Sequence, residues 1–260
     1  MGLAVFLAAA AMAATPASFL QSHQLPGGAF VESQGVPSPE LTAWAAVGLR
    51  AAGADTGNAL AYLAEHERDS QTPTSIALVA LAKSALGGDP GVLLARLPQR
   101  PQAVNEAIWD LLALRQARQP VPRALVNYLL RSQSSRGGFG WARGGAPDSN
   151  DTAFAIQALR AAGVRGRPVA RAFAFLRRFE RRDGGFELTR GRGSDAQSTA
   201  VAIQAFIAAG APPPARAFRY LAGLRRNDGS YRYSVRYATT PVWVTSQVLP
   251  ALARKSLPLR

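Results

Sequence analysis

The sequence predicts an all-α domain in which six helical hairpins close into a ring of inner helices inside a ring of outer ones. Two observations lead to this prediction: an internal repeat recurs along the chain, and wholly apolar helices alternate with amphipathic ones. A helix without a polar face has to be buried on every side, whereas the amphipathic helices carry Arg on one face and belong outside. Because an open stack would leave its terminal apolar helices uncovered, closure is favoured.

The repeat is clearest in residues 152–163 and 199–210, where Thr-Ala-x-Ala-Ile-Gln-Ala opens a helix that ends at Ala-Ala-Gly. Thr is a good N-cap, and Gly is a good C-terminal stop. Six units share such a helix, which starts at or near Thr42, Thr74, Asn105, Thr152, Thr199 and Thr245. These starting points are 31 to 47 residues apart, which is the spacing of a helical-hairpin repeat.

A glycine-rich turn closed by an aromatic residue comes before four of these helices. The turns are Gly27-Gly28-Ala29-Phe30, Gly137-Gly138-Phe139, Gly184-Gly185-Phe186 and Asp228-Gly229-Ser230-Tyr231. Glycine supplies the positive φ that stops the preceding outer helix, and we expect the aromatic ring to close the turn over the core.

The run Tyr128–Gln133, the turn Gly137–Trp141 and the segment Asp148–Gly163 resemble a prenyltransferase/squalene-oxidase repeat, and residues 175–210 are similar. The resemblance covers residues 17–254 and is weak across residues 59–122. It implies an (α/α)₆ toroid, the fold of terpene cyclase domains, protein prenyltransferase β subunits, complement thioester domains and cobalamin carriers, here in a bacterial exported member. The repeat is specific for the fold and does not by itself name a function.

Three segments are expected along the chain: a signal peptide at residues 1–13, the toroid at residues 14–254 and a C-terminal tail at residues 255–260. The first segment is apolar, too short to span a bilayer, and ends in the small-x-small site Ala11-Met12-Ala13. It lacks a basic start, because no Lys or Arg precedes Arg50, so an ordinary buried helix is the alternative. The signal predicts a secreted or cell-surface protein.

The charge is unevenly placed. The net charge is +14; residues 1–110 hold 5 Lys or Arg against 9 Asp or Glu, and residues 111–260 hold 25 against 7. The Arg-rich half is either a solvated surface or a contact for an anionic cell-envelope surface, and no nucleic-acid motif accompanies it. With no Cys, and with His23 and His66 outside the inner-helix starts, no metal site and no cofactor are predicted.

The N-terminal ends of the inner helices converge at one mouth of a toroid, so polar residues there would surround an apolar cavity with aromatic walls, as a small-molecule site requires. The competing interpretation is that each polar residue only caps its own helix. The candidate ligand-binding residues share this position: Trp44, Trp109, Trp141, Asp148, Asn150, Asp151, Thr152, Phe154, Asp195, Gln197, Thr199, Trp243 and Thr245.

Residues 148–153, Asp-Ser-Asn-Asp-Thr-Ala, resemble the Asp-x-Asp-Asp-Thr-Ala motif of class II terpene cyclases, whose middle Asp protonates an alkene or epoxide. Asn150 stands at that position, and an amide cannot donate a proton in this way. Asp148 and Asp151 are therefore the only catalytic candidates that the resemblance offers. The complement-type thioester and the prenyltransferase zinc site both need a Cys, which is absent.

Together these features predict an exported, non-catalytic module that captures a corrinoid-like (cobalamin-like) or apolar prenyl or terpenoid molecule in its central cavity. The alternative is a single-domain class II terpene cyclase or prenyltransferase-like enzyme, an isomerase acting through Asp148 or Asp151. A third hypothesis is a scaffold that binds a protein or an anionic surface through its Arg-rich half.

Overall fold

The computed structural model describes residues 14–259, and the predicted signal peptide lies outside them. This part of the chain forms twelve α-helices: α1 (Pro16–Ser22), α2 (Pro39–Ala51), α3 (Ala59–Glu65), α4 (Pro73–Ala85), α5 (Gly91–Leu94), α6 (Val104–Gln116), α7 (Arg123–Arg131), α8 (Ser149–Ala161), α9 (Arg167–Leu176), α10 (Ala196–Ala209), α11 (Ala215–Leu224) and α12 (Pro241–Leu252). A two-residue antiparallel pair, β1 (Phe186–Glu187) and β2 (Ser194–Asp195), joins two of the units.

The inner ring consists of the even-numbered helices. Each of them packs against the next, and α12 packs against α2, so the ring is closed. Their side chains are almost all buried, whereas the odd-numbered helices keep one face in solvent. The predicted all-α, six-hairpin fold is confirmed.

Closure brings α2 and α12 close together at Gly48. A Cβ at Gly48 would lie 2.6 Å from the carbonyl oxygen of Ser246, so only glycine allows this approach of the two backbones.

One buried threonine in each of four inner helices ties the helix to the turn that precedes it. The Thr152 hydroxyl accepts a hydrogen bond of 2.9 Å from the backbone N–H of Phe139. Its equivalents make the same bond at 2.9–3.0 Å in the pairs Thr42–Phe30, Thr199–Phe186 and Thr245–Tyr231. The turn amide, which would otherwise be buried without a partner, is thereby satisfied.

The residue two positions after each turn aromatic caps the inner helix of the preceding unit. The carbonyl of Trp141 accepts hydrogen bonds from the amides of Val104 and Asn105 at 2.9 and 3.1 Å. In the same way, the carbonyl of Leu188 accepts a hydrogen bond from the amide of Ser149 at the start of α8, and the carbonyl of Tyr233 accepts one from the amide of Ala196 at the start of α10. These bonds satisfy N–H groups that a helix leaves free at its start.

We call the place where the first and last units meet the seam of the ring. There a side-chain carboxylate accepts the hydrogen bonds that a backbone carbonyl accepts in the other units. Glu32, two positions after Phe30, accepts hydrogen bonds from the amides of Val242 and Trp243 at 3.1 and 2.9 Å. A negative charge also suits the positive end of the α12 dipole. The first and last units are therefore joined, like their neighbours, by capping of an inner helix from the residue two positions after a turn aromatic.

The tail packs against the end of the ring opposite the N-terminal mouth. The amide of Leu257 donates to the side-chain oxygen of Gln157 at 2.8 Å, and the amide of Leu259 donates to that of Gln116 at 2.6 Å. Leu257 is buried. Among the helices of residues 14–259, none is long and apolar enough to cross a bilayer.

Candidate functional site

A cavity of about 450 Å³ opens at the N-terminal ends of the inner helices, and we call it the cup. It is lined by Glu40, Trp44, Thr72, Thr74, Ser75, Leu78, Asn105, Trp109, Trp141, Asp148, Asn150, Asp151, Phe154, Leu188, Gln197, Trp243 and Gln247. Its volume lies within the ~300–1,000 Å³ range of small-molecule sites.

Two layers of side chains shape the cup. The position two residues before the buried threonine forms the rim layer, and the position two residues after it forms the floor layer, because residues four apart lie on one face of a helix. The rim layer is Glu40, Thr74, Asn105, Asn150, Gln197 and Trp243. The floor layer is Trp44, Leu78, Trp109, Phe154, Val201 and Gln247, of which all but Val201 line the cup. In α4 and α6 the threonine position itself is held by Ile76 and Ala107.

Aromatic rings meet across the centre of the ring and close the floor. The Trp44 ring centre lies 5.4 Å from that of Trp109 and 5.9 Å from that of Trp243, and the Trp109 and Phe154 centres are 4.9 Å apart. These separations are those of favourable tilted and edge-to-face pairs. Trp141 lies at the mouth with 60 % of its surface exposed, so all four tryptophans of the chain line this one cavity.

Nine of the thirteen residues predicted from the sequence line the cup: Trp44, Trp109, Trp141, Asp148, Asn150, Asp151, Phe154, Gln197 and Trp243. The other four, Thr152, Asp195, Thr199 and Thr245, do not.

The structure places those three threonines away from the cup for a geometric reason. Two residues along a helix correspond to a rotation of about 200°, so the threonine position faces away from the rim and floor positions that flank it. Their hydroxyls accept from the turn amides instead. Asp195 caps α10, accepting from the amide and hydroxyl of Ser198 at 2.7 and 2.9 Å.

Sequence reasoning missed Leu78 and Gln247 on the floor. Their register was the available signal, since each lies two residues after the threonine position of its helix, as Trp44 and Phe154 do. Gln247 is 1 % exposed, and neither of its side-chain amide atoms has a hydrogen-bond partner among the described residues.

A chain of hydrogen bonds crosses the rim. The Thr74 hydroxyl donates to the side-chain oxygen of Asn105 at 3.0 Å, and the Asn105 amide donates to a carboxyl oxygen of Asp151 at 2.8 Å. The backbone N–H of Asp151 donates to the carboxyl of Asp148 at 2.8 Å, so Asp148 caps α8 while it lines the cup.

Both carboxyls hold their protons more tightly than usual. Burial, followed by the charge of Asp151, raises the pKa of Asp148 to about 7. Burial also raises the pKa of Asp151, against the hydrogen bonds from Asn105 and Asp148, which lower it. At neutral pH the pair therefore keeps an ionisable proton beside the aromatic floor.

The charged groups on the cup are all acidic. Among the described residues that line it, none is Lys, Arg or His. Within residues 14–259, no three His, Cys, Asp or Glu side chains are arranged to hold a metal ion. The cup can therefore enclose a neutral, largely apolar molecule and offer it hydrogen bonds at the rim.

A larger cleft of about 1,230 Å³ lies at the opposite end, beside the tail. One of its arginines binds a helix end: Arg50 Nε donates to the carbonyl of Ala85 at 3.1 Å, and Arg160 Nε, in the neighbouring cleft, donates to the carbonyl of Ala208 at 3.1 Å. Basic side chains at helix C-termini are stabilising in this role. The cup, with its aromatic wall, is the better candidate for a functional site.

Comparison with solved structures gives matches over most of the chain. Ent-copalyl diphosphate synthase from Streptomyces platensis is similar with a TM-score of 0.56 and 19% identity over 85% of this chain, which spans about half (52%) of that protein. A variant of the type II terpene cyclase MstE from Scytonema, in complex with its substrate geranylgeranyl dihydroxybenzoate, matches with a TM-score of 0.64, 13% identity, and 92% and 95% of the two chains covered.

Haptocorrin in complex with Cbi is also similar, with a TM-score of 0.54 and 12% identity, and 93% of this chain and 66% of that chain are covered. No protein-family model matches the sequence, and no curated protein matches it. At these identities the likeness concerns the fold, which hosts both enzymes and binding proteins.

Proposed function

We propose that this chain, whose α/α-toroid fold is shared with type II terpene cyclases, binds an isoprenoid-type small molecule in the cup. The observation that carries this proposal is the cup itself, which has an aromatic floor, a polar rim and all four tryptophans on its wall. An apolar chain would cover the aromatic rings, and its burial would supply the affinity at ~25 cal/mol per Å² of apolar surface removed from water.

The size of the cup favours an isoprenoid over a corrinoid. The MstE structure contains a geranylgeranyl compound, and the haptocorrin structure contains Cbi, so both ligand classes occur among proteins of similar fold. A corrinoid is a broad macrocycle with many amide arms, whereas the cup holds about 450 Å³ and is closed below by touching rings. A flexible chain fits such a space better.

Tryptophan fluorescence tests binding directly, because every tryptophan of the chain lines the cup. We expect farnesol and geranylgeraniol to change the emission in a saturable way, and cobinamide to change it less. Leu78→Phe, which fills the cup, should weaken prenol binding by about tenfold, since one poorly fitting side chain costs 1–3 kcal/mol.

The matched control is Leu86→Phe, the same change at the other end of α4, in the opposite cleft. It should leave prenol affinity unaltered. Absence of saturable binding by either prenol, or equal weakening by the two variants, would count against a ligand site in the cup.

A second candidate function is acid-catalysed cyclisation, and the observation that favours it is the position of the Asp148 carboxyl on the wall of the cup, where burial raises its pKa to about 7. In this reaction Asp148 gives its proton to a C=C bond and the resulting carbocation closes a ring. A carbon beside the cationic centre then returns a proton to the Asp148 carboxylate, which forms a new C=C bond and completes an isomerisation. The aromatic faces of the floor would stabilise the cation. The proton is available below about pH 7 and is lost above it.

Product analysis after incubation with geranylgeraniol, squalene and geranylgeranyl dihydroxybenzoate tests this candidate. Asp148→Asn should abolish cyclic products, while Asp195→Asn, the equivalent helix cap that does not line the cup, should keep them. Unchanged substrate from the wild-type protein would leave binding alone as the function.

We further infer that the face around the mouth contacts an anionic envelope surface, from which an isoprenoid could enter. Val36, Val235 and Tyr237 lie in loops that lead into inner helices and are 82 %, 68 % and 59 % exposed. Exposed arginines stand in the mouth-side loops: Arg143, Arg190, Arg192 and Arg236. Such apolar and basic groups together favour a lipid surface.

Sedimentation with anionic and zwitterionic vesicles would test this contact. Anionic vesicles should retain the protein, less so in high salt and less so after Val235→Ser with Tyr237→Ser. Export itself stays a prediction from residues 1–13, and N-terminal sequencing of protein recovered outside the cytoplasm would check it.

A further inference from the structure

The floor layer of the cup contains one polar side chain. Five of its six positions are apolar or aromatic, namely Trp44, Leu78, Trp109, Phe154 and Val201, and the sixth is Gln247 on α12. Gln247 is four residues beyond Trp243, so it lies one helical turn deeper than the rim and on the same face. No pattern of burial requires a glutamine here, since every equivalent position is served by an apolar residue.

The side-chain amide of Gln247 has no partner among the described residues. Neither its oxygen nor its nitrogen makes a hydrogen bond, although the residue is only 1 % exposed. Gln204, also buried, donates to the backbone carbonyl of Gln247 at 3.2 Å and so does not satisfy the side chain. A buried amide without a partner has lost its hydrogen bonds to water and gained none in the protein, and a bound group that pairs with it would recover them.

The chemistry of the site restricts that bound group. A primary amide both donates and accepts, so it matches a group that does the same, such as a hydroxyl. A diphosphate or carboxylate is disfavoured, because the ionisable side chains that line the cup, Glu40, Asp148 and Asp151, are all carboxylic acids, and no basic residue among the described lining residues would balance the charge of an anion.

We propose that Gln247 is a specificity-determining residue that selects a neutral, oxygenated isoprenoid by hydrogen bonding to its hydroxyl group at the floor of the cup. This inference rests on the proposed isoprenoid binding and adds the functional group of the ligand. The apolar skeleton lies against the aromatic rings, and its oxygen meets the unpaired amide. A hydrocarbon of the same length leaves that amide unsatisfied.

The test compares farnesol, farnesene and farnesyl diphosphate as competitors in the tryptophan-fluorescence assay. The wild-type protein should bind farnesol about tenfold more tightly than farnesene, and farnesyl diphosphate more weakly than farnesol. Gln247→Met, which keeps the shape and removes both hydrogen-bonding atoms, should bring farnesol to the affinity of farnesene without changing the latter. Gln116→Met, the same change in the cleft at the opposite end of the ring, should keep the preference.

The possible failures are distinguishable. If the wild-type protein binds none of the three compounds, the proposed function is overturned together with this inference. If it binds farnesene as tightly as farnesol, or if Gln247→Met keeps the preference, isoprenoid binding stands and the role of Gln247 is overturned.

A measurement without variants covers the case in which Gln247→Met does not fold. In protein with ¹⁵N-labelled glutamine, one side-chain NH₂ pair should shift on addition of farnesol and not on addition of farnesene. Identical shifts with both ligands would contradict the hydrogen bond.

Discussion

Residues 59–122 and the four units that carry glycine-aromatic turns build the same ring by different means. In the four units, the hydroxyl of a buried threonine accepts a hydrogen bond from an amide of the turn. The segment just after that turn caps the inner helix of the preceding unit. Residues 59–122 lack this turn, and their outer helices α3 and α5 have only 7 and 4 residues. A largely buried ion pair between Lys83 and Glu67 is found there instead.

Arg96 is the second feature that residues 59–122 have in place of the turn. Arg96 donates to the backbone carbonyls of Glu67 and Ser70 at 2.8 and 2.5 Å, which fixes the connection between α3 and α4. The inner helices α4 and α6 nevertheless supply Leu78, Asn105 and Trp109 to the cup at the common register. The inner helices therefore keep a common register in both regions, although the connections between them differ.

The largest effect is expected from breaking the ion pair of residues 59–122. Glu67→Leu leaves the ammonium of Lys83 buried without its partner, and we expect a loss of about 3–5 kcal/mol in the free energy of unfolding. The double variant Glu67→Leu with Lys83→Met should recover most of that loss. Urea denaturation measures both, and a single variant as stable as the wild-type protein would show that the pair does not replace the missing turn.

The same region carries an unpaired acid. Asp110 on α6 is 2 % exposed, and neither carboxyl oxygen has a partner among the described residues. Burial, with a contribution from the charge of Glu106, raises its pKa to about 7. Between about pH 4 and 7 the folded state therefore binds more protons than the unfolded chain, and stability falls as the pH rises through that window.

Asp110→Asn should remove up to about 4 kcal/mol of this pH dependence, since one pKa unit corresponds to about 1.4 kcal/mol. Unfolding free energies measured from pH 4 to 8 check this expectation. An unaltered slope in Asp110→Asn would contradict the raised pKa.

In the units with turns, we expect the hydrogen bond of the buried threonine to contribute more to the free energy of unfolding than the size of its side chain does. Thr152→Val keeps the shape but leaves the Phe139 amide buried and unpaired, at a cost of about 1–3 kcal/mol. Ile76→Val, at the same position of α4 where no turn amide is present, should cost only about 0.5–1.5 kcal/mol. Equal losses in thermal or urea unfolding would mean that the two regions do not differ in this respect.

The smallest effect is expected at the seam. Glu32→Ala removes the cap of α12, and we expect a loss of about 1 kcal/mol, as for other N-caps. Ser33→Ala, exposed and next in the chain, should have no effect. Because a charge at a helix start is screened, salt should reduce the loss, and a loss independent of salt would assign the role of Glu32 to its hydrogen bonds alone.

Much of the architecture could be predicted from residue pattern. The apolar helices, the glycine turns and the Ala-Ala-Gly stops are local features, and they indicated six hairpins and the end of the ring at which polar and aromatic residues meet. Nine predicted residues line the cup for this reason. The misplaced ones, such as Thr152 and Thr199, are on the correct helices and at the correct end, but they face the turns.

The sequence by itself determined which segments are buried helices and how they alternate with exposed ones, because the period of apolar residues is written along the chain. Only the tertiary structure decided which side of each inner helix faces the cup, since a helix that is apolar all round has no polar face to orient it. Its rotation is set by contacts with neighbours on both sides, such as the approach of α12 to Gly48, and these placed the unpaired amide of Gln247 on the floor.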